Sequence, residues 1–112
     1  MERKIQVLLE DILQAINEIE EFLPEKKDFL EFQKDLKTKK AIERNIEIIG
    51  EAVNRIVKLY PTIKISNSRK IIDTRNRIIH GYDTVSDEII WAIVIKDLKN
   101  LKDEVVDLMN QF

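Results

Sequence analysis

The segment from Arg75 to Tyr82 holds the side chains of this chain that are best suited to chemistry on a phosphate ester. His80 is the only histidine in the sequence, and histidine is the side chain that most readily exchanges a proton at neutral pH. Arg75 and Arg77 carry a permanent charge and a planar fork of N–H donors that fits phosphate oxygens. A proton carrier and an anion-stabilising group suffice for phosphodiester cleavage without a metal ion. The segment therefore predicts a phosphate-chemistry site.

The spacing of these residues limits how one subunit can use them. Residues five apart on a regular helix are separated by about 140° around its axis, so Arg75 and His80 do not share a face. Asn76 and His80 are four apart and do share one, so the Asn76 amide is predicted to orient the imidazole or a bound phosphate. Cleavage of RNA by its 2′-hydroxyl also needs one group that takes a proton and one that gives a proton. A two-fold dimer that brings two copies of Arg75 and His80 into one groove meets both needs, so dimerisation is predicted.

Composition predicts a helical protein. A chain of 112 residues has room for a single domain with one core. With 44% hydrophobic and 36% charged residues, and only two glycines and two prolines, packed amphipathic helices are favoured. The absence of cysteine excludes disulfides, thiolate catalysis and cysteine zinc sites. The charged start and the lack of a long apolar run predict no signal peptide, no membrane span and a cytoplasmic location.

Charge is distributed unevenly along the chain, although the net charge is only -2. Between residues 52 and 80 there are seven lysines and arginines but a single acidic residue, Asp73. A polyanion is therefore expected to be drawn to the middle of the sequence. A solvated basic helix and loop would explain the same charges equally well.

The apolar residues recur at three- and four-residue steps in four long segments, which predicts four helices. The predicted helices run from Glu2 to Leu23, from Thr38 to Tyr60, from Arg69 to His80, and from a cap at Ser86, or at Thr84 with Asp87, through Leu108. Between residues 25 and 37 the pattern is ambiguous and allows one or two helical turns. The fold class is therefore predicted to be all-α, an up-and-down four-helix bundle with an extra short helix or turn.

Two glycines have specific predicted roles. Gly50 lies inside the second long helix, where it costs about 1 kcal/mol of helix propensity relative to alanine. This position predicts a helix crossing, with another backbone close to Gly50. Gly81 directly follows His80 and is predicted to cap the third helix in a left-handed conformation.

The order of Arg75, four residues, His80, one residue and Tyr82 resembles the R-x4-H-x-Y signature of HEPN-domain toxins of the HepT type. Asn76 directly after the arginine matches as well. Two further segments, Ala-Ile-Glu-Arg at 41–44 and Ile-Ile-Gly-Glu-Ala at 48–52, resemble the second helix of that family. Trp91 falls where these proteins carry a tryptophan, so the resemblance covers nearly the whole chain.

The resemblance implies a metal-independent ribonuclease that needs no cofactor and forms the toxin half of a toxin–antitoxin pair. It implies a homodimer in which Arg75 and His80 are the catalytic pair, with Asn76 and Arg77 supporting them or binding phosphate. It also implies that Tyr82 is an acceptor for AMP. The partner antitoxin would be a minimal nucleotidyltransferase that uses ATP and magnesium, and the bulk and negative charge of the attached group would block the site.

Other interpretations remain open for the same residues. His80 could be a packed or capping histidine, Asn76 a backbone cap, and Arg75 the ion-pair partner of Asp73 or Asp83. Tyr82 could be a half-buried aromatic, and a core or interface position is preferred for Trp91. For the whole protein, one alternative is a HEPN-like module that binds nucleotide or RNA, or docks a nucleotidyltransferase, without catalysis. The other alternative is a purely structural helical dimer.

Overall fold

The computed structural model describes residues 2–80 and 85–111, and nearly all of them are helical. The helices are α1 (Glu2–Phe22), α2 (Phe29–Lys34), α3 (Leu36–Leu59), α4 (Ser68–His80), α5 (Asp87–Ala92) and α6 (Leu98–Gln111). A π-helical turn, Ile93–Asp97, joins α5 to α6 without a break. Within these residues there is no strand. The predicted all-α bundle is confirmed, and α2 is the extra short helix.

The core lies where α1 packs against α3 and α6 and where α3 packs against α4. Its largest fully buried side chains are Ile5, Leu9, Ile12, Ile16, Ile19, Ile42, Ile46, Ile49, Ile56, Ile71, Ile90 and Ile93. The apolar stripes predicted for α1 and α3 are thus core positions, whose burial drives the packing of these helices. No helix in the described part of the chain is both long enough and apolar enough to cross a membrane.

Side-chain caps fix where α3 and α5 begin. The predicted start of α3 at Thr38 is two residues late, because the Asp35 carboxylate accepts hydrogen bonds from the Thr38 amide at 3.0 Å and from its hydroxyl at 2.6 Å. The bond from the Thr38 hydroxyl, and then the one from its amide, lower the pKa of Asp35. Ser86 caps α5 by accepting from the Ile89 amide at 3.2 Å, as predicted. The predicted capping roles of Gly81 and Thr84 lie outside the described residues.

The beginning of α4 is attached to the last helices by two carboxylates. Lys70 Nζ lies 2.8 Å from Oδ2 of the buried Asp97, which makes the two side chains an ion pair. The angles of this contact are not those of a hydrogen bond. Asn67, which has a left-handed backbone with φ 60°, donates to Asp97 Oδ1 at 3.5 Å. Glu104 on α6 accepts from the Ser66 hydroxyl at 2.6 Å and from its amide. These contacts fix α4 relative to α6.

Replacing Asp97 with alanine should lower the free energy of unfolding by about 1–2 kcal/mol, because a charge-assisted contact is lost. The cost stays below that of an unpaired buried charge because the Lys70 side chain is half-exposed and its ammonium can be hydrated. Urea unfolding would measure the change. Asp103→Ala, which removes an exposed carboxylate from α6, is the control and should change stability by less than about 0.5 kcal/mol. Equal stability of the two variants would show that the contact does not anchor α4.

Candidate active site

A groove of about 560 Å³ is formed by α1, α3 and α4, and Arg75 lies in it. We call it the α3–α4 groove; it is lined by Leu8, Asp11, Arg44, Glu47, Ile48, Glu51, Ala52, Arg55, Arg75 and Ile79. Three arginines and three carboxylates are among these residues, so their formal charges balance. The groove therefore lacks the uniformly positive lining that the charge run along the sequence would suggest.

The charged part of this lining follows one face of α3. Arg44, Glu47, Glu51 and Arg55 are separated by three or four residues, the spacing that puts side chains on the same face of a helix. Arg44 Nη1 lies 3.5 Å from Glu47 Oε2. Arg55 Nε donates a hydrogen bond to Glu51 Oε1 at 3.1 Å. Each of these arginines thus has a carboxylate from its own helix beside it.

Arg75 extends from α4 across the groove to α3. Its Nη2 donates to Glu51 Oε2, and its Nη1 donates to Asn76 Oδ1 at 3.0 Å. The side chain is only 22% exposed. Its ion pair is with Glu51 rather than with Asp73, whose carboxylate lies 3.9 Å from Arg69. The alternative partner Asp83 lies outside the described residues, and Asn76 contacts Arg75 directly.

Gly50 provides the space in which the stem of Arg75 crosses α3. A Cβ added at Gly50 would lie 2.8 Å from Arg75 Cγ, closer still to Arg75 Cβ, and 3.4 Å from the carbonyl oxygen of Ile71. The predicted helix crossing at Gly50 is confirmed. The closest atoms belong to the Arg75 side chain rather than to a backbone, so the glycine serves the arginine as well as the packing of the two helices.

Replacing Gly50 with alanine should destabilise the protein by about 1 kcal/mol. Alanine gains about 1 kcal/mol of helix propensity, but overpacking of a tight contact costs about 1–3 kcal/mol. The overpacking cost should prevail because the nearest atom is the Cβ of Arg75, which is bonded to the backbone of α4 and cannot move without it. Chemical denaturation would measure the difference, and a variant more stable than the wild type would contradict the tight contact.

His80 is the last residue of α4, and its side chain is exposed. It is not among the residues that line the α3–α4 groove. Arg77 is also exposed and borders a different cleft, together with Asp73 and Thr74. A single chain therefore brings Arg75 and Asn76 together, whereas His80 and Arg77 do not line the groove that holds Arg75. For His80 this agrees with the angular separation expected for residues five apart. Tyr82, two positions after His80, lies outside the described residues.

Trp91 is packed against other aromatic side chains, in agreement with the core or interface position predicted for it. Its ring centroid lies 5.1 Å from that of Phe32 and 5.8 Å from that of Phe29, so it joins an aromatic cluster at one end of the bundle. Among residues 2–80 and 85–111, no group of three or more histidine, aspartate or glutamate side chains is arranged to hold a metal ion.

The sequence pattern alone assigns no role to Glu51, which contacts Arg75, or to Arg44 and Arg55, which line the same groove. Glu51 and Arg44 belong to the family-like segments, and Arg55 belongs to the basic run. The available signal was a polar stripe at helical spacing on a helix whose opposite face is apolar, interrupted by Gly50. Such a stripe is equally typical of a solvated helix face, so it does not identify Arg75 as a partner.

Comparisons with known proteins agree with the motif. The family model described as "Ribonuclease HepT-like" matches residues 12–108. The chain is 39% identical to "Probable ribonuclease HepT" of Thermococcus cleftensis, over 91% of this chain and 93% of that protein. It is 33% identical to "Putative RNase MJ0127" of Methanocaldococcus jannaschii, over 95% of this chain and 91% of that protein. No solved structure matches the chain. The protein therefore belongs to the HepT-like ribonuclease family.

Proposed function

We propose that this protein is a metal-independent endoribonuclease in which Arg75 and His80 act on the RNA phosphodiester. The observation that carries the proposal is the placement of Arg75. Its guanidinium is held by Glu51 and Asn76 at the edge of a groove, and five residues later the same helix presents the exposed His80. Membership of a ribonuclease family supports the same activity. In a ribonuclease, an arginine held in a fixed position is suited to bind a phosphate of the RNA.

The proposed reaction uses the 2′-hydroxyl of the RNA as the nucleophile. A general base takes the 2′-hydroxyl proton, the 2′-oxygen attacks phosphorus, and the bond from phosphorus to the 5′-oxygen breaks. A general acid protonates the departing 5′-oxygen, which leaves a 2′,3′-cyclic phosphate and a 5′-hydroxyl. Arg75 stabilises the negative charge that develops on the phosphoryl oxygens. His80 is the proposed proton-transfer group for these steps.

We propose that the working form is a homodimer. One histidine cannot be base and acid in the same step, and in one subunit His80 does not line the groove that contains Arg75. A two-fold axis close to α4 would place the His80 of one subunit near the His80 and Arg75 of the other. The half-exposed Ile79, between the two catalytic positions and 43% exposed, would then be covered.

The activity is tested by incubating the purified protein in EDTA with a single-stranded RNA and with DNA of the same sequence. Cleavage of the RNA but not of the DNA is expected, because only RNA carries the 2′-hydroxyl nucleophile. An unchanged RNA, cleavage of both substrates, or a requirement for added magnesium would contradict the proposal.

The proposed biological setting is a toxin–antitoxin pair. The partner would be a minimal nucleotidyltransferase that uses ATP and magnesium to attach AMP to Tyr82. In that step the Tyr82 phenol oxygen, losing its proton, would attack the α-phosphorus of ATP and release pyrophosphate. The support is the R-x4-H-x-Y order, which puts Tyr82 two residues after His80. A bulky anion there would block RNA sterically and repel it.

Incubation with such a nucleotidyltransferase, ATP and magnesium should add the mass of one AMP per chain and abolish RNA cleavage. Tyr82→Phe should stay unmodified and remain active under the same conditions. Tyr60→Phe, which alters the other tyrosine of the chain, is the matched control and should be modified like the wild type. Mass spectrometry of the intact protein, combined with the cleavage assay, measures both effects. AMP on Tyr60, or full activity of the modified protein, would contradict the switch.

A further inference from the structure

We infer that Glu51 is a positioning residue for Arg75, which it holds in the orientation that meets the phosphate. The inference rests on the proposed ribonuclease function and extends it from α4 to a residue of α3. Glu51 would not touch the substrate or carry a proton. Its effect on the reaction would be exerted entirely through the guanidinium of Arg75.

The Glu51 carboxylate bridges two arginines from two helices. Its Oε2 accepts from Arg75 Nη2, and its Oε1 accepts from Arg55 Nε at 3.1 Å. Both oxygens are therefore engaged, and the rotation of the carboxylate is restricted by Arg55 on the same helix. The Glu51 side chain is 42% exposed, whereas that of Arg75 is 22% exposed. The arginine is thus held at the partly enclosed side of the pair.

Two further contacts complete the restraint on Arg75. Asn76 Oδ1 accepts from Nη1 at 3.0 Å, so different acceptors engage the two terminal nitrogens of the guanidinium. Gly50, directly before Glu51, leaves the space for the stem of the side chain. The remaining N–H groups of the planar guanidinium can still meet phosphate oxygens. An arginine fixed at both ends of its fork is already oriented before the substrate arrives.

Glu51 should have opposite effects on substrate binding and on the chemical step. Its negative charge in the α3–α4 groove repels a phosphodiester, which raises KM. Because Glu51 already holds Arg75, the guanidinium loses little further freedom in the transition state and stays correctly placed. This raises kcat. Loss of the carboxylate should therefore lower kcat and leave KM unchanged or lower, a combination that general loss of folded protein does not produce.

The test compares Glu51→Ala, Glu51→Gln and Glu47→Ala for kcat and KM on one RNA in EDTA. Glu51→Ala is expected to lower kcat about ten- to a hundred-fold without raising KM. Glu51→Gln removes the same charge but keeps an oxygen that can accept from Arg75, so it should recover a large part of kcat. Glu47→Ala is the matched control, because Glu47 lies one turn earlier on α3, lines the same groove and pairs with Arg44 at 3.5 Å. Because it removes a negative charge from the same groove, it should lower KM as Glu51→Ala does, but it should leave kcat within about two-fold of the wild-type value.

A double-variant comparison shows whether Glu51 acts through Arg75. In an Arg75→Ala background, measured in single turnovers with excess protein, Glu51→Ala should change the rate by less than about two-fold. The NMR order parameter of the Arg75 Nε–H bond should fall in Glu51→Ala but not in Glu47→Ala. This measurement does not require the protein to be active.

Three results would overturn the inference: equal losses for Glu51→Ala and Glu47→Ala, a faster kcat for Glu51→Ala, or a full further loss in the Arg75→Ala background. An unchanged order parameter would overturn it as well. Failure of the proposed function would be seen separately, as no RNA cleavage by the wild type or as equal cleavage by the wild type and Arg75→Ala. In that event the order parameter would still decide whether Glu51 positions Arg75.

Discussion

Replacement of His80 with alanine should slow RNA cleavage by about a hundred- to ten-thousand-fold, the usual contribution of general acid–base catalysis. RNA affinity should stay within about two-fold, because in the proposed mechanism the exposed imidazole at the end of α4 moves protons and does not hold the strand. Single-turnover cleavage and binding, measured on the same RNA, would separate the two effects.

The matched control for His80→Ala is Arg77→Ala. Arg77 is also exposed on α4 but borders the cleft beside Asp73, and its removal should change the cleavage rate by less than about three-fold. Parallel losses in binding and cleavage for His80→Ala would contradict a role limited to proton transfer. Binding of RNA by the wild type without cleavage would favour the non-catalytic RNA-binding module. An absence of both activities in the wild type, with no salt-dependent binding of nucleic acid, would favour the structural dimer.

Replacement of Arg75 with alanine should slow cleavage by about a hundred- to a thousand-fold, the usual cost of removing a group that stabilises charge in the transition state. Lysine at the same position should recover only part of the rate. Its point charge cannot reach the Glu51 carboxylate and the Asn76 oxygen with the planar geometry that the guanidinium uses. Rates in EDTA at a saturating RNA concentration would measure both variants.

The stability of the Arg75 variants must be measured beside their activity, because Arg75 joins α4 to α3 through Glu51. The pair is partly exposed, so its loss should cost less than about 1 kcal/mol of unfolding free energy. A rate for Arg75→Ala equal to that of Arg77→Ala would contradict the assignment of Arg75. Full activity of Arg75→Lys would show that charge alone, without the held geometry, accounts for its role.

Much of the fold could be predicted from periodicity, since the apolar positions of α1 and α3 recur at helical spacing and are buried. The helix limits were predicted less well. The predicted end of α1 at Leu23 is one residue late. The helix α3 begins two residues earlier than predicted, because Asp35 supplies its cap. The π-helical turn Ile93–Asp97 has no signal in the apolar periodicity, which predicts one continuous helix through this segment.

The site was predicted from the order of residues in α4 alone. Contacts that α4 makes with other helices were therefore not predicted. The positions of Arg75, Asn76 and His80 on α4 follow from their spacing alone. The Glu51 contact depends on the register between α3 and α4, which is set by the close approach at Gly50 and cannot be read from either segment by itself. The role of Tyr82 and the composition of a dimer interface stay predictions.

The ends of the RNA products test the proposed chemistry most directly. RNA cleaved in EDTA by the wild-type protein should carry a 2′,3′-cyclic phosphate on one side of the break and a 5′-hydroxyl on the other. These ends should form at least about a hundred-fold more slowly with His80→Ala and with Arg75→Ala, both verified as folded. Products with a 3′-hydroxyl and a 5′-phosphate, or the cyclic ends at equal rates in all three proteins, would contradict cleavage by Arg75 and His80.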